Sequence, residues 1–310
     1  MLDRYDPRDD DGHSRGESFE RHRASRGSSD QDDDSRSGFG LHVDLPRGPD
    51  RELVRDRKRS YELNGQESEA LATIGAFRVV HVDDLRDVFD GDRDPKPARQ
   101  GLRRLQESGL LERIPLESRD RDVVVLTGRG RDVLEANRLE RDHEPRQTFY
   151  TGLRKPRELT HDAQVYRAYQ RAEERLRARG GYVRRVVLDY EMKRDYQQFL
   201  QERNRGRADS TGRPDRAPEE VEAWAREHDL PHFDGSVHFP DARIEYEDQD
   251  RHVRHEDIEV VTAHYRGAHA AGMARSGFTR YRIGLAIRVS GGRGGGGRPP
   301  NPRSAEELLG

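Results

Sequence analysis

Apolar residues recur at regular spacing in only two stretches of this chain, Leu63 to Asn137 and Glu158 to Val289, so any core must be built from those two. Of 310 residues, 31% are hydrophobic and 38% charged, which leaves long segments with nothing to bury. Residues 1–60 are rich in Asp, Arg, Ser and Gly, as in "RHRASRGSSDQDDDSRSG". Residues 290–310, "SGGRGGGGRPPNPRSAEELLG", are low-complexity. Such segments bury too little surface to offset their ordering entropy, and both are expected to be disordered tails. Residues 141–157, within "ERDHEPRQTFYTGLRKPR", read as a linker between two domains at 61–140 and 158–289. The 57 basic and 60 acidic side chains nearly cancel, so a nucleic-acid surface has to be a local patch. The chain has no cysteine, which excludes disulfides and thiolate metal sites and fits a reducing compartment. No run approaches the ~18 apolar residues of a bilayer span, and the start lacks the apolar stretch of a signal peptide. The expected setting is the cytoplasm, away from membranes.

The first region opens with Asn64 and Glu67, three apart, a capping-box spacing. Leu71, Ile74 and Phe77 then follow at helical intervals. A short second helix is expected in "VDDLRDVF", with Leu85, Val88 and Phe89 inward. A third is expected from Asp94 and Pro95 to Gly109, burying Ala98, Leu102 and Leu105. Its other face carries Arg99, Gln100, Arg103 and Gln106, with Arg104 at the border. Two strand-like runs, "LLERI" and "DVVVLT", flank a tip containing Arg119 and Arg121, and "GRDVLEANRL" reads as a closing helix. This arrangement resembles the winged helix-turn-helix superfamily. The resemblance implies binding of double-stranded DNA. Arg and Gln on the third helix would read base edges in the major groove, and Arg119 and Arg121 would reach the adjacent backbone or minor groove. The plainer alternative is a solvated polar face on a protein-docking module.

In the second region, "ELTHDAQVYRAYQRAEERLRARGG" reads as a helix whose buried face begins at His161 and continues through Val165, Tyr169, Ala172 and Leu176. A strand in "YVRRVVLDY" and helices in "EMKRDYQQFLQERN" and "PEEVEAWAREHDL" follow. In "HFPDARIEYEDQDRHVRHEDIEVV", Ala242, Ile244 and Tyr246 share one strand phase, and Pro240 marks a change of phase. Ile258 and Val260 then oppose Asp257, Glu259 and Val261. A helix near "YRGAHAAGMARSG" and a strand near "TRYRIGLAI" complete the region. Histidines 232, 238, 255 and 264 have no tight ligand spacing and read as solvated.

Helix, strand, Pro-Asp strand, Glu strand, helix, strand is similar to the order of the restriction-endonuclease-like core. That resemblance implies two carboxylates holding Mg²⁺ or Mn²⁺ and a lysine orienting the attacking water. Asp241 matches the motif aspartate and Glu259 the motif acid. Both are candidate metal ligands and, with His161, candidate catalytic residues, although His161 also reads as a satisfied core histidine. Val261 stands where the family has its lysine, and Lys193, at the expected end of the first strand, is a candidate substitute. The whole series, winged helix, "THDAQVYRAY", Pro-Asp strand and "EDIEVVT", resembles the bacterial replication-relaxation family over about residues 60–285. The expected fold is therefore α+β, a winged helix domain followed by an α/β restriction-endonuclease-like domain. The expected function is DNA binding in plasmid or mobile-element replication and mobilisation, with a degenerate nuclease-like domain and a relaxase or replication protein as partner. The alternatives are a Mg²⁺-dependent endonuclease using Asp241 and Glu259, or a transcription regulator whose second domain binds a ligand or pairs the chain into a homodimer.

Overall fold

Asn64 starts a helix as its spacing predicts. In the computed structural model, which describes residues 38–89, 96–116, 122–140, 145–152, 159–207, 214–261 and 275–282, its side chain accepts the Glu67 N–H at 2.9 Å. The Glu67 carboxylate accepts the Asn64 N–H at 3.3 Å in return. The helix so capped, α1 (Gly65–Phe77), is buried on nearly every side and forms the centre of the first half. Strands β3 (Val79–His81), β4 (Leu111–Ile114) and β5 (Val123–Leu126) make an antiparallel sheet in the order β3-β5-β4. Helix α2 (Lys96–Glu107) buries Ala98, Leu102 and Leu105 as expected, together with Gly101. That glycine is needed: a Cβ there would lie 2.3 Å from the Phe89 ring. The chain leaves α2 through Gly109 at φ +73°, where glycine carries no steric penalty. Thr127 Oγ1 accepts the Gly130 N–H at 3.1 Å and caps α3 (Gly128–Ala136).

Two expectations for this half need correction. The short second helix is instead a pair of 3₁₀ turns, Val82–Leu85 and Asp87–Phe89, which still bury Leu85 and Phe89. Residues 38–60, expected to be disordered, are folded. A 3₁₀ turn at Gly40–His42 precedes a hairpin of β1 (Glu52–Arg55) and β2 (Ser60–Leu63). Phe39, Val43, Leu45, Val54 and Tyr61 are all buried. So few apolar residues make no periodic signal, yet most of them are buried in tertiary contacts. The Asp94–Pro95 helix start and the hairpin tip with Arg119 and Arg121 lie outside the described residues.

The second half is built on β6 (Tyr182–Leu188), β9 (Ala242–Glu247), β10 (Val253–Val261) and β11 (Thr279–Arg282), in the order β11-β10-β9-β6. Here β9 runs antiparallel to both neighbours, and β11 runs parallel to β10. Helix α4 (Leu159–Arg177) adds Val165, Tyr166, Tyr169 and Leu176 to the core that contains Val186, Ile244, Ile258 and Val260. Helices α5 (Asp189–Gln201) and α6 (Pro218–Glu227) close a smaller cluster of Val187, Met192, Trp224, Ala225 and Leu230. A two-stranded turn, β7 (His232–Phe233) and β8 (Ser236–Val237), leads to buried Pro240 and into β9. The helix expected near 265–277 falls largely outside the described residues.

The described part of the expected linker, residues 145–152, is packed. Gln147 is fully buried, and its side-chain amide pairs with Val186 as a strand would: Nε2 donates to Val186 O at 3.0 Å, and Oε1 accepts the Val186 N–H at 2.8 Å. Edge strand β6 thereby satisfies backbone groups that would otherwise be open to another chain. Phe39 and Phe77 from the first half meet Tyr169 of α4 at ring-centroid distances of 5.3 and 4.8 Å. One apolar core runs through both halves. No described helix is long and apolar enough to cross a membrane.

Candidate functional site

Helix α4 runs along β10 so that its first turn meets the end of that strand and the start of β9. The far end of the helix is fixed by Arg175, which pairs with Glu256. At the near end, Asp241 precedes β9 and Glu259 lies near the end of β10. The backbone holds the two acids in a reciprocal arrangement. Val260 N–H donates to Asp241 Oδ2 at 2.7 Å, and Asp241 N–H donates to Glu259 Oε2 at 3.3 Å. Asp189 N–H, at the start of α5, donates to Asp241 O at 3.1 Å. Glu259 is only 2% exposed.

His161 joins them. Its Nε2 is 3.3 Å from Asp241 Oδ2, and its Nδ1 is 3.7 Å from Asp162 Oδ1. Hydrogen bonding to Asp162 and then to Asp241 pushes the imidazole pKa up to about 10, against the opposing effect of burial. The three residues placed in the catalytic set by sequence are thus brought to one end of one sheet.

The lysine substitute is not at the strand end. β6 stops at Leu188, and Lys193 sits one turn into α5, where its Nζ donates to Asp189 Oδ2 at 2.7 Å. Val261 closes β10 and carries no charge. In chemical type, Asp241 and Glu259 fit a hard divalent ion, which takes oxygen ligands. Yet one oxygen of each carboxylate already accepts a backbone N–H, and Asp241 also faces His161. Among the described residues, the group whose ligand atoms all lie within 4.8 Å of one another is Asp248, Asp250 and His252, in the β9–β10 turn. Sequence reasoning passed over it. Asp248 Oδ1 accepts the N–H groups of Asp250 and His252 at 3.0 and 2.9 Å, which is the work of a turn-capping aspartate.

The polar face of α2 emerges as its periodicity predicts. Arg99, Gln100, Arg103 and Gln106 are exposed, with Lys96 on the first turn. Arg103 pairs with Glu107 at 2.7 Å, but both are so exposed that the pair stabilises little. Arg104 turns back toward α1, 3.8 Å from Glu67 Oε1, which makes it a border residue. Comparison of the chain with protein-family models, curated proteins and solved structures returned no match.

The His161 environment has a consequence for stability. A folded-state pKa above the ordinary value of 6.5 means the fold holds this proton more tightly than the open chain does. The resulting stability is full below about pH 6.5 and is lost as pH rises toward about 10. With solvent screening included, the loss is on the order of 2 kcal/mol. Urea midpoints measured across that range should fall more steeply for the native chain than for His161→Gln. Parallel profiles would mean that the imidazole is not charged in the fold.

Proposed function

We propose that this protein binds double-stranded DNA through α2 and the β4–β5 hairpin, and that its second sheet holds nucleic acid or a partner without cutting it. The observation that carries this reading is the α2 surface. Helix α2 presents Arg99, Gln100, Arg103 and Gln106 to solvent while Ala98, Leu102 and Leu105 anchor it. Arg suits guanine edges and phosphates, and Gln suits adenine. The strand order β3-β5-β4, with α2 entering β4 and α3 leaving β5, supports a winged helix. The order β11-β10-β9-β6, with only the β10–β11 pair parallel, supports a restriction-endonuclease-like core. On the resemblance to the replication-relaxation family, the setting is the cytoplasm and the task is replication or mobilisation of a plasmid, alongside a relaxase or replication protein.

Duplex binding by the full chain should weaken about 30-fold or more in an Arg99→Ala, Arg103→Ala double variant, since each Arg contact is worth ~1–3 kcal/mol. Fluorescence anisotropy with a labelled duplex reads this directly. Equal affinity in variant and native chain would remove α2 as the reader.

A second reading, metal-dependent cleavage, is favoured by the meeting of His161, Asp241 and Glu259. It is disfavoured by Val261 and by the partners those carboxylates already have.

A further inference from the structure

The β1–β2 hairpin has a use that α2 does not require. Its turn reads Arg55-Asp56-Arg57-Lys58-Arg59, four cations around one acid. The acid is turned inward. Asp56 Oδ1 accepts the N–H groups of Lys58 and Arg59, each at 2.6 Å, and its carboxyl is held below the usual range chiefly by the Lys58 hydrogen bond. The exposed side chains of Arg57, Lys58 and Arg59 are left at the tip. The hairpin is also held in place: Val54 and Tyr61 are buried, and Asn137 Nδ2 at the end of α3 donates to Arg55 O at 3.0 Å. A rigid loop presenting three cations loses little entropy on meeting an anion.

The open end of this hairpin lies near α2. Arg51, just before β1, and Arg104 of α2 both approach Glu67 Oε1, at 2.5 and 3.8 Å. Arg129, at the start of α3, lies against Gly109 at the end of α2, and its charge also reaches Tyr61 of β2. Arg51 and Arg129 thus place basic side chains between the open end of the hairpin and the end of α2. Glu52 and Glu62 lie on the strands, away from the turn.

We propose that the β1–β2 hairpin is a second phosphate-binding element, with Arg57, Lys58 and Arg59 contacting the DNA backbone beside the segment that α2 reads. The proposal rests on duplex binding by α2 and extends it. Phosphate contacts position a protein on DNA without reading sequence, and a fixed cationic loop beside a recognition helix suits that task.

The test measures duplex affinity of the full chain against salt concentration for four proteins: native, Arg57→Ala/Lys58→Ala/Arg59→Ala, Arg99→Ala/Arg103→Ala, and a control with Arg194, Arg205 and Arg226, exposed outside the second sheet, changed to Ala. Each phosphate contact adds about 0.9 to the slope of log affinity on log salt. The hairpin variant is expected to flatten that slope by about 2–3 and to bind about tenfold more weakly at moderate salt. Its thermal midpoint should be unchanged, because the turn is held by Asp56 and backbone donors. A native slope in the hairpin variant, with binding lost in the α2 variant, overturns this inference and leaves the α2 reading standing. Equal losses in hairpin and control variants reduce the effect to bulk charge and overturn it too. No duplex binding by the native chain, even at low salt, removes both. A hairpin-dependent affinity for a polyglutamate peptide with an unchanged duplex slope would mark an acidic protein partner instead and overturn the proposal.

Discussion

Phe77→Ala is expected to lower the unfolding free energy by about 3–5 kcal/mol, the usual cost of truncating a fully buried Phe. It is also expected to shift both halves of the molecule together. Phe77 closes α1 at 1% exposure. Its ring meets Phe39 edge-on at 5.3 Å, Tyr166 at 4.9 Å and Tyr169 at 4.8 Å. Each such aromatic pair adds ~0.5–1.5 kcal/mol beyond area burial. The loss falls where the N-terminal segment, α1 and α4 converge, and α4 is the helix that packs on the second sheet. The single tryptophan, Trp224, reports from the α6 cluster, well removed in sequence from Phe77. Urea unfolding followed by Trp224 fluorescence and by far-ultraviolet circular dichroism should give one coincident, left-shifted transition in the variant. A native Trp224 midpoint alongside a weakened circular dichroism transition would mean two independent domains, with the shared core energetically idle.

Where local chemistry decides the structure, the residues announced it. The capping pair Asn64 and Glu67, the Leu102–Leu105 stripe with its Gly109 stop, and the alternation of Ala242 and Ile244 all read correctly, because each is a pattern complete within a few neighbours in sequence. Where distant contacts decide it, the sequence was silent. Gln147 looks like any linker glutamine until strand β6 is placed beside it. Val54, Tyr61 and Leu63 are too few to signal a hairpin amid Arg and Asp, and they fold because α3 and Asn137 receive them. The site was legible in part for the same reason. Asp241 and Glu259 follow from strand order, and His161 sits one turn from the Val165 stripe. Their backbone partners and the second aspartate beside His161 depend on how α4 meets β10. Lys193 was placed at a strand end, but β6 stops at Leu188 and Lys193 lies within α5.

The opposite kind of result is expected from the carboxylate pair: plasmid DNA incubated with this protein and Mg²⁺ or Mn²⁺ should be nicked no faster than in the metal-only control. Hydrolysis of a phosphodiester needs a positive group to orient water and to offset charge developing on the phosphate. Loss of one such electrostatic contact commonly lowers the rate ~10²–10³-fold. Val261 offers nothing of the kind. His161 adjoins the pair, but its two ring nitrogens already face Asp241 and Asp162 at 3.3 and 3.7 Å. Its charge is therefore matched twice over and has little left for a phosphate. A cation at Asp241 Oδ2 would also compete there with Val260 N–H and His161. Lys193 is held by Asp189, and although Asp189 hydrogen-bonds to Asp241 through its backbone, the ammonium points its charge at a carboxylate of its own helix. The assay compares native chain with Asp241→Ala and Glu259→Ala, with duplex affinity measured on the same preparations. Robust nicking lost in both variants would identify a working catalytic centre and reassign the protein as a nuclease. Background nicking with duplex binding intact would leave His161, Asp241 and Glu259 as the group that ties α4, β9 and β10 together at the end of the sheet.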